Sequence, residues 1–211
     1  PGASGGEGEP RGGGSEVEEE LSEATEERLE ALTEANEQGI RWQVRTKVAA
    51  AAAAPAPGWA GERVADPLVD DWEPAIAADP SAPFVYLMTT HFGAKPCPGN
   101  CPVPHISLHV SSDGGRTWAP QRPLCACKGS WQYDPIVEVV PNTGDVYATY
   151  LNGFNVLFTS STDQGATWSA PVKTYGNVSW NDKPALATSD DGKDVYISWN
   201  GPTGGDPWMA P

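Results

Sequence analysis

The hydrophobic and polar positions of this chain follow two periods. Between residues 16 and 38, apolar residues recur at a rough helical spacing within a Glu-rich stretch, which predicts a solvated acidic helix that ends near Gly39. A coiled-coil or partner-binding helix is the alternative. From residue 40 to 48, apolar and polar residues alternate as in a half-buried strand. From residue 70 onward, short apolar runs are separated by turn signals, which predicts an all-β region.

The β-rich region is a repeat array. An apolar run that begins with proline precedes a Val-Tyr pair at one fixed spacing, three times: Pro74 before Val85, Pro135 before Val146, and Pro184 before Val195. Each spacing contains a turn signal, so each unit contains a strand, a turn and a second strand. We place the units at about 70–124, 131–176 and 180–211, and expect the third to break off after its second strand.

Two units also contain the same turn sequence, Ser-x-Asp-x-Gly-x-Thr-Trp. The Asp and Ser oxygens can accept hydrogen bonds from turn amides, Gly permits a positive φ, and the Trp can bury a large face beside the turn. We therefore expect the repeated residues to be structural, with both Trp residues largely buried. They are Ser111, Asp113, Gly115, Trp118, Ser161, Asp163, Gly165 and Trp168.

These turns resemble the Asp box, or BNR repeat, of the sialidase superfamily, which joins the third and fourth strands of a propeller blade. The resemblance implies that residues 66–211 form about two and a half blades of a six-bladed β-propeller, with further blades C-terminal to Pro211. It also implies an exo-sialidase-type glycoside hydrolase or a glycan-recognising protein. The alternative is a non-catalytic extracellular propeller that binds protein or glycan partners, as sortilin-type receptors do.

Strand direction predicts which loops share a face. In an up-and-down blade, the loops between the second and third strands lie on the same side as the linkers between blades, and in sialidase-like propellers that side carries the substrate. Aromatic faces beside carboxylates and amides suit sugar rings. The alternative is that the Trp residues pack between blades and that Asp134 and Asp182 cap strand starts. The candidate ligand face comprises Trp72, Glu73, His91, Trp131, Tyr133, Asp134, Trp180, Asp182 and Lys183.

Sialidase catalysis is harder to place on these residues. The resemblance implies three Arg that bind the substrate carboxylate, the first in an Arg-Ile-Pro motif, because a guanidinium binds a carboxylate bidentately. This sequence has Trp72-Glu73-Pro74 at the comparable place. The loop from 89 to 104, where the family has its acid/base Asp, contains no Asp or Glu, and beyond residue 63 the only arginines are Arg116 and Arg122. No catalytic residue is assigned, and whether the protein is an enzyme stays open.

Charge and composition exclude some partners. The chain carries a formal net charge of −15, most of it in the first 38 residues, which argues against nucleic acid binding. We expect residues 1–58 to be a disordered acidic segment that contains the helix and ends in an Ala/Pro linker. No apolar run is long enough for a membrane span, and neither a metal nor a cofactor is expected.

Four cysteines lie in two loops that the strand directions place on the same side. Cys97 and Cys101 belong to the loop between the second and third strands of the first unit, and Cys125 and Cys127 to the linker after it. We expect two disulfides between these loops, with local Cys97–Cys101 pairing, a zinc site and free thiols as the alternatives. Together with the resemblance and an Asn-Val-Ser triplet at 177–179, the cysteines predict an extracellular or cell-surface protein.

Overall fold

The computed structural model describes residues 57–58, 70–92, 101–125, 130–174, 181–201 and 207–210. Nearly all of these residues form strands and turns of one compact unit, which spans Thr46–Pro211. The helix predicted over 16–38 and the strand predicted over 40–48 lie outside the described residues. Cys97, Cys127 and Trp180 lie outside them as well.

Three antiparallel sheets make up the described part, each with its strands in sequence order. The first contains β1 (Asp71–Ala78), β2 (Val85–His91), β3 (His105–Ser111) and β4 (Arg122–Pro123). The second contains β5 (Gln132–Val139), β6 (Val146–Asn152), β7 (Val156–Ser161) and β8 (Val172–Lys173). The third contains β9 (Asp182–Thr188), β10 (Val195–Asn200) and β11 (Pro207–Ala210). The prediction of an all-β region is confirmed.

The strand positions follow the repeat, with one difference in the third unit. Each predicted strand–turn–strand element is a hairpin, in which β1 pairs with β2, β5 with β6, and β9 with β10. The expectation that the third unit breaks off after its second strand is wrong, because β11 pairs with β10 from Ile197↔Ala210 to Asn200↔Pro207. Its Pro-Trp-Met-Ala sequence is too short to show an alternating pattern.

The sheets stack through their apolar faces. Tyr86, Met88, Ile106 and Leu108 of the first sheet form one buried cluster with side chains of β5 and β6 in the second. The first strands also contact each other in chain order, β1 with β5 and β5 with β9. Up-and-down sheets that pack face to face with their first strands adjacent are propeller blades. The described region is therefore a partial β-propeller.

Both eight-residue turns have the same hydrogen bonds, and these are the ones that the sequence predicts. In the first turn, Gly115 N donates to Ser111 Oγ and Thr117 N donates to Asp113 Oδ1, both at 2.8 Å. In the second turn, the equivalent distances are 2.9 and 2.8 Å. The expectation about the Trp residues is only partly met, because Trp118 and Trp168 are half-buried. Trp168 Nε1 donates to the Gly165 carbonyl of its own turn at 3.1 Å, and its ring packs against the core.

We call the end of the sheets that carries these turns the turn end. Hydrogen bonds at the turn end join each sheet to the next. The Arg122 guanidinium of the first sheet donates to the carbonyls of Gly165 and Ala166 in the second. Asn142 N of the second sheet donates to the Asp190 carbonyl of the third at 2.9 Å. The opposite end of the sheets, which we call the cluster end, contains the polar starts of β1, β5 and β9.

Candidate functional site

Each first strand has an unusual backbone at the residue before its proline. Glu73, Asp134 and Lys183 have φ values of 54°, 49° and 48°. Pairing registers shift at the same level in all three hairpins, as at a β-bulge. A residue before proline normally adopts extended backbone, and a positive φ is uncommon for residues other than glycine. Such conformations cost free energy and persist only where the surrounding packing holds them. They are enriched at functional sites.

The three bulges bring charged side chains from three sheets together. Lys183 Nζ lies 2.7 Å from Asp134 Oδ1 and 3.6 Å from Glu73 Oε1. Thr90 Oγ1 and Asp134 N donate to Glu73 Oε2 at 2.7 and 2.9 Å. These four residues form what we call the inner-strand cluster.

The residues of the inner-strand cluster are buried to different degrees, and its two carboxyl groups have pKa values shifted in opposite directions. The side chain of Asp134 is 7% exposed, that of Glu73 31%, and that of Lys183 58%. Burial raises the pKa of Asp134 to about 7, assisted by the neighbouring Glu73 carboxylate and opposed by Lys183. Burial also acts to raise the pKa of Glu73, but hydrogen bonds from Asp134 and Thr90 and the Lys183 charge lower it overall. The pair thus combines a carboxyl group that holds its proton near neutral pH with one that stays ionised.

Aromatic rings lie at the same end of the sheets as the inner-strand cluster. Trp72 is 48% exposed and Trp131 is 37% exposed. The Trp72 ring packs edge-on to Phe92 at 6.2 Å, Phe92 lies 6.4 Å from Tyr133, and Tyr133 stacks on Phe154 at 6.3 Å. This row ends in an accessible indole at Trp72, whose Nε1 donates to Asp70 Oδ1 at 2.8 Å.

A second polar network lies inside the first sheet, and it contains all three histidines of the chain. Asp71 Oδ1 lies 2.7 Å from His91 Nδ1, and Gln121 Nε2 donates to Asp71 Oδ2 at 2.9 Å. Burial acts to raise the pKa of Asp71, but its interactions with His109 and His91 lower it to about 2. Burial lowers the pKa of His105, whose ring lies 5.0 Å from that of His91. The network is enclosed by protein and links β1, β2 and β3.

Of the residues predicted for the ligand face, the structure brings Glu73, Asp134 and Lys183 into contact and leaves Trp72 and Trp131 accessible at the same end of the sheets. Asp182 is half-buried, and its charge helps raise the pKa of Lys183. His91 and Tyr133 are 1% and 2% exposed, so they do not lie on the accessible surface. Sequence reasoning missed Thr90 and the three bulges. The signal that could have marked the bulges is a charged residue before the proline of every repeat.

The described cysteines lie at the cluster end, and neither is a free thiol. Cys101 and Cys125 are both in disulfide form. Their bonding partners are not described, so the pairing between the two loops stays a prediction. In the described ranges, no group of His, Cys, Asp and Glu side chains could hold a metal ion. No helix there has the length and apolar character needed to cross a membrane.

Solved structures with a similar fold include glycoside hydrolases. Hadza microbial sialidase Hz136 has 17% identity and a TM-score of 0.46, over 64% of this chain and 33% of that one. Bacteroides ovatus xyloglucan PUL GH43B has 19% identity and a TM-score of 0.45, over 67% of this chain and 27% of that one. The catalytic domain of Coprinopsis cinerea GH62 α-L-arabinofuranosidase has 15% identity and a TM-score of 0.41, over 66% of this chain and 50% of that one.

The chain matches half or less of the length of each of these structures. No family model and no curated protein matches the sequence. Similarity at this level does not identify the function of this chain.

Proposed function

We propose that this protein is a sialidase-like propeller that binds glycans at the cluster end of its sheets. The observation that carries the proposal is the meeting of Glu73, Asp134 and Lys183, one from each sheet, at the end of the sheets where Trp72 and Trp131 are exposed. Indole faces stack on the C–H faces of sugar rings, and the charged groups offer both donors and acceptors to hydroxyls. This combination is typical of a carbohydrate site.

Membership of the sialidase superfamily is part of the proposal, and it rests on the two eight-residue turns. Both have the sequence Ser-x-Asp-x-Gly-x-Thr-Trp, and both have the same bonds from Gly N to Ser Oγ and from Thr N to Asp Oδ1. Two matching turns in consecutive blades support common ancestry with propellers of that superfamily. They contribute nothing to the chemistry at the cluster end, since they lie at the opposite end of the sheets.

Glycoside hydrolysis is the second candidate function, and the Asp134 carboxyl group favours it. With a pKa of about 7, Asp134 can donate a proton to a leaving glycosidic oxygen, and the ionised Glu73 beside it can stabilise the positive charge that develops on the sugar. However, Asp134 is almost fully buried behind Lys183, so a substrate would have to displace the lysine to reach it. Binding therefore needs fewer changes to the site than hydrolysis does.

The third possibility is a non-catalytic extracellular propeller that recognises a protein partner. We propose an extracellular or cell-surface location for any of these functions, supported by the disulfide form of Cys101 and Cys125. Disulfides persist in oxidising compartments, where glycans of other cells and of the matrix are accessible. A protein ligand would be distinguished by binding that survives removal of its sugars.

A binding assay with matched variants tests the proposal. The full chain is screened on an array of oligosaccharides, and the glycans that bind are titrated by calorimetry. We expect Trp72→Ala and Trp131→Ala to weaken binding by about tenfold or more, because stacking surface is lost. Tyr196→Ala is the control, since Tyr196 is 47% exposed but lies towards the turn end of the third sheet. Equal losses in all three variants, or binding to no glycan, would contradict the proposal.

Hydrolysis is tested on the same glycans by measuring the release of reducing sugar. If the protein is an enzyme, Asp134→Asn abolishes release while calorimetry still detects binding. If the wild-type protein binds but releases nothing, the protein is a glycan-binding propeller and the hydrolase candidate is excluded.

A further inference from the structure

The indole of Trp72 is held by two contacts while much of its surface stays accessible. Trp72 is 48% exposed, and the centre of its ring lies 6.2 Å from that of Phe92 in an edge-on arrangement. Its Nε1 donates to Asp70 Oδ1 at 2.8 Å. The indole N–H is the only polar group of a Trp side chain, so the bond to Asp70 uses it. What Trp72 offers to a ligand is therefore the apolar surface of its ring.

Asp70 is itself fixed to the first sheet. Its carbonyl accepts from Phe92 N at 2.9 Å, which continues the pairing of β1 with β2 one step beyond Asp71 and His91. The Asp70 side chain thus reaches Trp72 from a backbone that is bonded to the residue against which the Trp72 ring packs. Asp70 and Phe92 together form what we call the indole support.

A ring that is fixed in advance lowers the cost of binding. A Trp side chain without support on a surface samples several rotamers, and a ligand that stacks on it must select one of them. That loss of conformational freedom is subtracted from the affinity. A hydrogen bond from an N–H group to a carboxylate is stronger than one between neutral groups, so Asp70 favours one orientation of the indole before a ligand binds.

From these contacts we infer that Asp70 is a positioning residue for glycan binding, which acts by fixing the Trp72 ring and does not itself contact the ligand. The inference rests on the proposed function. It also specifies how Trp72 recognises its ligand, which is by stacking and without a hydrogen bond from the indole. The ligand at Trp72 is accordingly a sugar ring with an unobstructed C–H face.

A double-mutant cycle tests this inference on the glycans that bind the full chain. Asp70→Ala removes the carboxylate, whereas Asp70→Asn keeps an oxygen that can accept from the indole N–H. We expect Asp70→Ala to weaken binding by about threefold or more in calorimetry, and Asp70→Asn to restore most of the affinity. Trp72→Phe keeps a stacking ring but has no N–H. In that background we expect Asp70→Ala to have no further effect.

Nuclear magnetic resonance gives a readout that needs no ligand. Trp72→Phe identifies the indole N–H signal of Trp72, because that signal is lost from the spectrum. We expect Asp70→Ala to shift this signal and to speed the exchange of its proton with solvent, since the N–H group loses its acceptor. Asp194→Ala is the control, because Asp194 is exposed at the turn end of the third sheet and its loss removes the same charge.

The possible outcomes are distinguishable. Weaker binding of Asp70→Ala in the wild-type background alone, together with a shifted indole signal, supports the inference. Equal weakening in the Trp72→Phe background would show that Asp70 contacts the ligand directly, which overturns it. Normal binding of Asp70→Ala where Trp72→Ala loses affinity, or an unshifted indole signal, also overturns the inference and leaves the proposed function intact. Binding to no glycan overturns both.

Discussion

Lys183 Nζ lies 2.7 Å from Asp134 Oδ1, although 49 residues separate them in the sequence. Each residue occupies the same position in its own sheet, directly before the proline of the first strand, with a positive φ. Glu73 is the third residue of this kind, and it contacts both of the others. The site is therefore built by repetition, since every sheet contributes one side chain from one equivalent bulge.

Loss of the Lys183 ammonium should destabilise the folded protein. We expect Lys183→Met to lower the free energy of unfolding by about 1–2 kcal/mol, because it removes a cation from the buried Asp134 carboxyl group. This magnitude is below that of a fully buried pair, since Lys183 is more than half exposed. Urea unfolding measures the change. Lys193→Met is the control, because the pair of Lys193 with Asp191 is solvent-exposed. Equal changes in both variants would contradict the prediction.

The Asp134 carboxyl group should make stability depend on pH. Its pKa is raised from 3.8 to about 7, so the native state holds a proton that the unfolded chain has released. The stability that this proton supplies is complete below pH 3.8 and is lost as the pH rises through about 7. Asp134→Asn keeps a neutral side chain at every pH. We therefore expect wild type to lose about 3–4 kcal/mol relative to the variant between pH 4 and pH 8.

Urea unfolding of both proteins at several pH values measures this difference. The effect of a group outside the inner-strand cluster, such as His105, occurs in both proteins and cancels in the comparison. Glu73 and Lys183 respond to the charge of Asp134, so their effects are part of the measured difference. Parallel pH profiles for wild type and Asp134→Asn would show that the folded protein does not raise the pKa of Asp134.

The second eight-residue turn should act on stability and not on ligand binding. Asp163 accepts from Thr167 N at 2.8 Å, from Thr167 Oγ1 at 2.6 Å and from Ser161 Oγ at 2.8 Å. We expect Asp163→Ala to lower Tm by roughly 4–8 °C, because turn amides lose their acceptor. Thr162→Ala, at an exposed neighbouring position, should leave Tm unchanged. A variant with normal Tm and weakened glycan binding would refute the structural role.

Alanine substitutions at two equivalent glycines allow the cost of backbone strain to be distinguished from the cost of a close contact between sheets. Gly115 and Gly165 have φ values of 79° and 78°, so alanine is strained to the same degree at both positions. A Cβ atom at Gly165 would lie 3.2 Å from Tyr86 Cε1 of the first sheet, whereas at Gly115 the nearest atom is 3.8 Å away. We expect Gly165→Ala to cost about 1 kcal/mol more than Gly115→Ala in urea unfolding. Equal costs would show that Tyr86 yields without penalty.

The pairing of the cysteines can be mapped directly. We expect tryptic peptides from the loop that contains Cys97 and Cys101 to be joined to peptides that contain Cys125 and Cys127 when digestion is done without reductant. The described ends of the two loops lie near the start of β3, because Cys101 shortly precedes His105 and Leu124 N, next to Cys125, donates to the Ile106 carbonyl at 2.8 Å. Peptides joined only within one loop would show local pairing. Four thiols available to an alkylating reagent would exclude disulfides.

The hairpins and eight-residue turns could be predicted from the sequence because their determinants are local. Pro135 marks β5 and the Ser-x-Asp-x-Gly pattern marks the turn after β7, so neighbouring residues contain most of the information. β11 could not be predicted, because its pairing with β10 is set by tertiary contacts rather than by a pattern in four residues.

The candidate site was predictable only in part. Strand directions place Glu73, Asp134 and Lys183 on one side of the sheets. Strand directions do not predict a bulge or a positive φ, because these depend on how the three first strands pack. For the same reason the burial of His91 was missed. A histidine at a strand end looks accessible in the sequence, yet here it bonds to Asp71 inside the sheet.

The bonds that join consecutive sheets at the turn end have a mechanical consequence. Arg122 fastens the first sheet to the second, and Asn142 fastens the second to the third, so each bond spans only one boundary. Force applied at the two ends of the array would load these bonds one boundary at a time, whereas the contact of Lys183 with Glu73 at 3.6 Å crosses both boundaries. A glycan held by Glu73, Asp134 and Lys183 together would cross both boundaries at once. The bound sugar would then act as a clamp that makes the three sheets yield as one body.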